Sequence, residues 1–239
     1  MDAGVVQTGF SAAAQTRTSF LLKAETNMTL LRTLILVVVT FVARPAAAAD
    51  PQQLLQQFVD GVRSLSAQFE QVQYDERGAV LDRRSGDFAL SRPGRFRWNY
   101  TQPYQQLMVC DGEQIWNYEP DLDQVTVRPA GRVLQDTPAA LLAQGSQLSE
   151  RFLLEDGGRD KDAQIVRLKP KAADTDFSLI ELWLKDRGVP QRIRFHDALG
   201  GTTDVQFTAV STAAIKDTSR FTFTPPAGAE VVKLEDSGG

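Results

Sequence analysis

The feature that most constrains this chain is an alternation of apolar and polar residues with a period of two, recurring in short segments over most of its length. Phe88 and Leu90 alternate with Asp87 and Ala89, and Phe96, Trp98 and Tyr100 alternate with Arg95, Arg97 and Asn99. Successive side chains of a strand point to opposite faces, so each segment predicts a strand with one greasy and one polar side. The same reading gives a bulged strand over Ser66–Tyr74, where Ala67 and Phe69 are in one phase and Val72 and Tyr74 in the other. Leu107–Val109 and Ile115–Tyr118 flank Asp111-Gly112, a strong hairpin signal, and Val125 with Val127 continues the meander. Further strands are expected at Phe152–Leu154, Ile165–Lys169, Phe177–Leu184, Gln191–His196, Thr203–Val210 and Phe221–Phe223. Strand twist accumulates, so a meander of about 10–11 short strands curls rather than staying flat.

Two segments break the pattern. From Pro51 to Val62 the apolar residues Leu55, Phe58, Val59 and Val62 recur at three and four, with Asp50 placed to cap and Pro51 at the first helical position. Asp136-Thr137-Pro138 precedes a short apolar run, Ala139 to Ala143, that Gly145 stops. Two short helices with apolar faces have no second core of their own, so they are expected to cover the concave side of the sheet. The fold class is mainly β (α+β): an unclosed antiparallel barrel with short helices as a lid over its apolar face.

The ends carry processing signals rather than fold. Met28, Arg32, an apolar core through Val42 and the alanines before Asp50 have the layout of a secretory signal peptide, with cleavage expected before Asp50. Residues 1–27 are polar and mixed, and Met28 is taken as the true start. Residues 50–239 then form a single domain whose tail, after 234, is expected to be disordered. Removing residues 1–49 leaves 22 basic and 28 acidic residues, a net charge of about −6. A mildly acidic chain without a basic run has no electrostatic footprint for nucleic acid. Export to the periplasm as a soluble monomer is expected, since no cysteine adjoins the cleavage point to carry a lipid.

Catalytic groupings are missing. His196 is the only histidine and Cys110 the only cysteine, so neither a histidine–cysteine pair of the usual kind nor a histidine metal cluster is indicated. Cys110 reads as a small buried strand residue. Carboxylates cluster where turns are expected, as at Asp121 with Asp123 and Asp156 with Asp160, and no phosphate-cradling glycine motif or nucleophile elbow is present. The reading is of a protein that is not an enzyme and needs no cofactor or metal.

Arg92-Pro93-Gly94-Arg95-Phe96-Arg97-Trp98, Thr101-Gln102-Pro103, Val109-Cys110-Asp111-Gly112 with Ile115-Trp116-Asn117-Tyr118, Thr137-Pro138, and Phe221-Thr222-Phe223-Thr224-Pro225-Pro226 occur in that order. Together they resemble the periplasmic outer-membrane lipoprotein carrier family, LolA, over Asp50 to Lys233. The resemblance implies a chaperone that binds the acyl chains of triacylated lipoproteins released by an inner-membrane ABC transporter and delivers them to an outer-membrane receptor. It also implies that Arg92 is a latch bonding carbonyls of the lid, and that Phe96 contacts partner proteins, whereas its shared parity with Trp98 on a regular strand assigns Phe96 to the cavity face. Leu55, Val59, Trp98, Trp116, Leu141 and Leu142 are the residues expected to line the acyl-chain pocket. The alternative is a periplasmic lipid-binding or lipoprotein-sensing module of the same fold.

Overall fold

Alternation does produce strands, and the strands pair into one sheet. The computed structural model describes Met1 and residues 50–130, 138–143, 148–173 and 175–234. All of the elements below belong to the compact unit Ala49–Gly239. The leader, the capping residues Asp136 and Thr137, Gly145 and the tail after Leu234 lie outside the described residues.

The strands are β1 (Ser64–Tyr74), β2 (Val80–Ser91), β3 (Arg95–Gln102), β4 (Gln106–Cys110), β5 (Gln114–Glu119), β6 (Gln124–Pro129), β7 (Phe152–Asp160), β8 (Ala163–Pro170), β9 (Phe177–Leu184), β10 (Pro190–Asp197), β11 (Thr202–Ser211) and β12 (Glu230–Lys233). Their spatial order is β12-β6-β5-β4-β3-β2-β1-β11-β10-β9-β8-β7. Two meanders, β1 to β6 and β7 to β11, are joined where β1 pairs with β11, and β12 and β7 are the two edges. The sheet is unclosed and antiparallel throughout except for β12, which runs parallel to β6.

The curl is visible in distances across strands. Trp98 on β3 and Phe207 on β11 have ring centroids 6.2 Å apart. Two strands lie between their own, and on a flat sheet three spacings would separate them by about 14 Å. The sheet therefore bends towards the side these rings occupy, here termed the inner face. Residues from both meanders, Phe69, Phe88, Trp98, Val166, Leu168, Ile180, Ile193 and Phe207, share one core cluster on it.

Among the described residues, the short helices that accompany the sheet include α1 (Pro51–Gln56), α2 (Pro138–Ala143) and α3 (Leu148–Arg151). The Asp50 side chain accepts from the Gln52 N–H at 3.0 Å, as expected of an N-cap. The predicted helix over Pro51–Val62 has two parts, because a π-helical turn, Gln57–Gly61, continues α1. Leu55, Phe58, Val59, Leu141 and Leu142 join the inner-face core, so both expected lid helices cover that face.

Three expectations change. Phe221–Phe223 is not a strand: Phe221 closes a 3-10 turn, Thr218–Phe221, and the segment takes no place in the order of the sheet. It belongs to a strap, 212–229, that leaves β11 and crosses the outer face to reach β12. Phe221 is buried there, and Phe223 lies 5.9 Å from Trp116 and 5.7 Å from Tyr118 between ring centroids. The bulge expected in the first strand is carried by its partner. Ser66 pairs with Ser211 and Gln68 with Thr208, so the extra residue lies on β11, where Ala209 has φ +49°. Asp156 and Asp160 fall within β7, at its irregular end, rather than in a turn.

Candidate functional site

The inner face and its cover form the candidate site. Its floor is aromatic: Phe69 and Trp98 have centroids 4.3 Å apart, Phe88 and Trp98 4.9 Å, and Phe88 and Phe207 5.9 Å. Such tilted contacts add about 0.5–1.5 kcal/mol per pair beyond the area they bury. Leu90, Phe96, Cys110 and Ile115 extend the floor along β2 to β5. Cys110 is fully buried, and burial pushes its thiol up from the ordinary value, which suits a small apolar filler rather than a nucleophile.

Over this floor lie Leu55 of α1, Phe58 and Val59 of the π turn, and Leu141 and Leu142 of α2, all within the same cluster. Leu142 is 0 % and Trp98 1 % exposed. Of the residues expected in the pocket, the structure thus brings together Leu55, Val59, Trp98, Leu141 and Leu142.

Trp116 stands apart. Arg97 pairs with Val109 and Val109 with Trp116, whereas Trp98 pairs with Met108. Trp116 is therefore on the outer face, opposite Trp98, packed on Phe223 with its indole N–H donating to Asp111 Oδ2 at 3.4 Å. It does not line the inner face. Phe96 shares the inner face with Trp98 and is 0 % exposed, so in this state it offers no surface to a partner and belongs with the floor.

Arg92 follows β2 and lies beneath both covering segments. Its Nε donates to the Val62 carbonyl at 3.0 Å and its Nη1 to the Ala143 carbonyl at 3.1 Å. Val62 follows the π turn and Ala143 ends α2, so each carbonyl is one that its own helix leaves without a partner. The guanidinium also lies over the Phe58 ring, 4.8 Å from its centroid. Burial lowers the Arg92 pKa to about 10, Asp60 opposing the shift and Arg63 adding to it, so the group stays cationic at neutral pH. Sequence reasoning could not pair Arg92 with either carbonyl, because the contacts span distant segments.

Gly188 seats the π turn. It has φ +73° in the β9–β10 turn, and a Cβ there would lie 2.3 Å from the Phe58 backbone nitrogen. Only glycine lets the two backbones approach this closely.

Over β8 to β11 the outer face is polar, whereas over β4 to β6 it is apolar and covered by the strap. Asp204 accepts from Arg192 and Arg194, and Glu181 from Arg167 at 3.0 Å, with His196 at 3.2 Å from its other oxygen. Arg192 and Arg194 also cover Trp183, at 4.8 Å and 5.4 Å from its ring centroid. Among the described residues, no group of three His, Cys, Asp or Glu side chains could hold a metal ion, and no helix is long and apolar enough to cross a membrane.

Comparison with known proteins adds to this geometry. The family model described as outer membrane lipoprotein carrier protein LolA matches residues 60–224. An outer-membrane lipoprotein carrier protein of Bordetella pertussis is 40% identical over 201 residues, covering 84% of this chain and 94% of that protein. One from Dechloromonas aromatica is 38% identical over 186 residues, 78% of this chain and 89% of that protein. Among solved structures, an uncharacterized conserved protein from Thermus thermophilus superposes with a TM-score of 0.52 at 16% identity, over 77% of this chain and 98% of that one, a likeness of fold.

Proposed function

We propose, on the premise that this chain belongs to the outer-membrane lipoprotein carrier family, LolA, that it is a non-catalytic periplasmic chaperone which shelters the acyl chains of lipoproteins on its inner face. It receives triacylated lipoproteins released from the inner membrane by an ABC transporter and passes them to an outer-membrane receptor, acting as a monomer. The observation that carries this reading is the bridging of two lid segments by one arginine over an aromatic apolar floor.

Each methylene of an acyl chain costs about 0.8 kcal/mol to bring into water, so three long chains need cover at every point of the journey. Leaving a bilayer for an apolar floor is close to neutral, because lipid tails and leucine or phenylalanine side chains are similarly apolar. The cargo is consequently held without being trapped. In the closed state Leu55, Val59, Leu141 and Leu142 fill the space over the floor, and cargo enters by displacing them and breaking the Arg92 bonds. Reforming those bonds favours release.

The test adds the chain from Asp50 to Gly239 to spheroplasts and assays the medium for lipidated proteins, then their transfer to outer membranes. A one-to-one complex should be released. Arg92→Leu should load normally but transfer at least roughly tenfold more slowly, since hydrogen bonds from a charged donor contribute about 1.5–3 kcal/mol. Equal or faster transfer by Arg92→Leu would sink the latch. Absence of any release, with lipid bound instead, would move the function to lipid binding or sensing.

A further inference from the structure

A cleft of about 390 Å³ lies on the outer face, on the opposite side of the sheet from the acyl-chain site. Its floor is set by register. Gln68, Asp87 and Asn99 stand side by side across β1, β2 and β3, and Ser66, Ala89 and Arg97 form the next row. Ala89, small and central, leaves the hollow, with Arg97 at one side. The strap supplies the other wall, where the 3-10 turn brings Arg220 over β3.

The side chains in this cleft do not balance. Arg97 and Arg220 both face it, and neither is in an ion pair among the described residues, whereas Arg192, Arg194 and Arg167 on the same face each have a carboxylate. Arg97 and Arg220 line the same cleft, and burial, with the Arg220 charge adding to it, lowers the pKa of Arg97. Gln68, Asn99 and Ser66 add amide and hydroxyl donors. Of the residues that line the cleft, Asp87 is the carboxylate and is exposed at the edge of the block, while Asp217 on the strap lies outside the lining but its charge also reaches Arg220. On a chain whose net charge is negative, the residues that line this concave space carry an excess of hydrogen-bond donors and two cations to one carboxylate. An anion lodged between the arginines would remove their repulsion and accept from both forks, the geometry in which guanidinium binds phosphate best. Asp87 would repel a bare phosphate but accept a hydrogen bond from a hydroxyl on the same molecule.

We propose that this cleft binds a phosphate ester bearing a free hydroxyl, the chemistry of a phosphoglycerol group, with Arg97 and Arg220 on the phosphate and Asp87 on the hydroxyl. The group could be presented by a lipid headgroup at a membrane surface or by a free phosphoglycerol. The site needs no acyl-chain binding, so it stands or falls separately from the carrier reading.

The test expresses the full chain, purifies the exported protein and titrates it with glycerol 1-phosphate and with inorganic phosphate, following amide and guanidinium NMR shifts. Saturable binding of glycerol 1-phosphate is expected, weakened roughly tenfold or more by Arg97→Gln or Arg220→Gln, as befits loss of a charged hydrogen-bonded partner. Arg77→Gln, on a distant exposed turn, should change nothing. Asp87→Asn should abolish the preference for glycerol phosphate over inorganic phosphate. Sedimentation with phosphatidylcholine vesicles, with and without phosphatidylglycerol, identifies the source. Arginine-dependent pelleting only with phosphatidylglycerol assigns a membrane headgroup, and saturation by the free ester without such pelleting assigns a soluble one. No saturation by any probe, or an equal loss in Arg77→Gln, overturns the proposal. Arg220 is exposed on a turn, so its variant keeps the test valid even where Arg97→Gln fails to fold.

Discussion

The two faces of this sheet are made from the same strands, yet they are held by different forces. On the inner face Phe69, Phe88, Trp98 and Phe207 pack ring against ring, and nothing charged is among them. On the outer face of β8 to β11, Asp204 and Glu181 are almost as deeply covered, at 5% and 7% exposure, but Asp204 is paired with Arg192 and Arg194 and Glu181 with Arg167 and His196. Dispersion and burial tolerate exchange of one apolar partner for another, which is what the proposed function asks of the inner face. Ion pairs and hydrogen bonds do not tolerate such exchange, because a partner withdrawn leaves a charge stranded. The exchangeable contacts are on the face that the proposed function would open, and the ion pairs are on the opposite face over β8 to β11.

The largest effect expected from breaking this contrast is on the inner face. Trp98→Ala should cost about 3–5 kcal/mol in denaturant unfolding and impair cargo binding, since it empties the centre of the aromatic floor. Trp116→Ala, on the other face and half-buried, should cost about 1–2 kcal/mol and leave cargo binding unchanged. A comparable loss of cargo binding in the Trp116 variant would show that the two tryptophans serve one pocket after all. Next in size, Asp204→Ala should cost about 2–3 kcal/mol by stranding Arg192 and Arg194, again without affecting cargo. A cost near zero would mean that the outer network is solvated and does not hold the sheet.

The smallest effect is one of pH. Burial alone would raise the Glu181 carboxyl, but hydrogen bonds and charge from Arg167 and His196 outweigh it and hold the group below its ordinary value. A depressed carboxylate stabilises the fold above its unfolded pKa of about 4.3 and loses that contribution as the pH falls towards the folded value. Stability measured below about pH 4.3 should therefore fall less steeply in Glu181→Gln than in the parent. Identical acid profiles would remove Glu181 from the outer network.

Much of this contrast is legible in the sequence, and its limits have physical causes. Phe96-Arg97-Trp98 alternates cleanly, so both the strand and its two faces can be read. Ile115-Trp116-Asn117-Tyr118 places apolar residues in both phases, and only the pairing of Val109 with Trp116 decides which ring faces out. Phe221-Thr222-Phe223 alternates like a strand because both rings pack inward, but against the outer face and without a partner strand. The four residues of β12 are too few to show a period. Leu55, Val59, Leu141 and Leu142 follow from helical spacing and apolarity. The carbonyls that hold Arg92 and the approach of Arg220 to Arg97 depend on segments far apart in the chain, where no local pattern can reach.

The pairing of β1 with β11 also governs how the molecule is assembled in time. Every other antiparallel pair joins consecutive strands, whereas this seam matches Phe69 with Phe207 and Gln68 with Thr208, almost a full domain apart in sequence. Closing so long a loop costs entropy before any contact repays it, so each meander should form on its own and the seam should come last. Until then the aromatic floor is divided, with Phe207 on one half and Phe69, Phe88 and Trp98 on the other, and the inner face is not yet one continuous apolar surface. Amide protection appearing along β1 and β11 after the flanking hairpins would mark the moment at which the chain becomes a container.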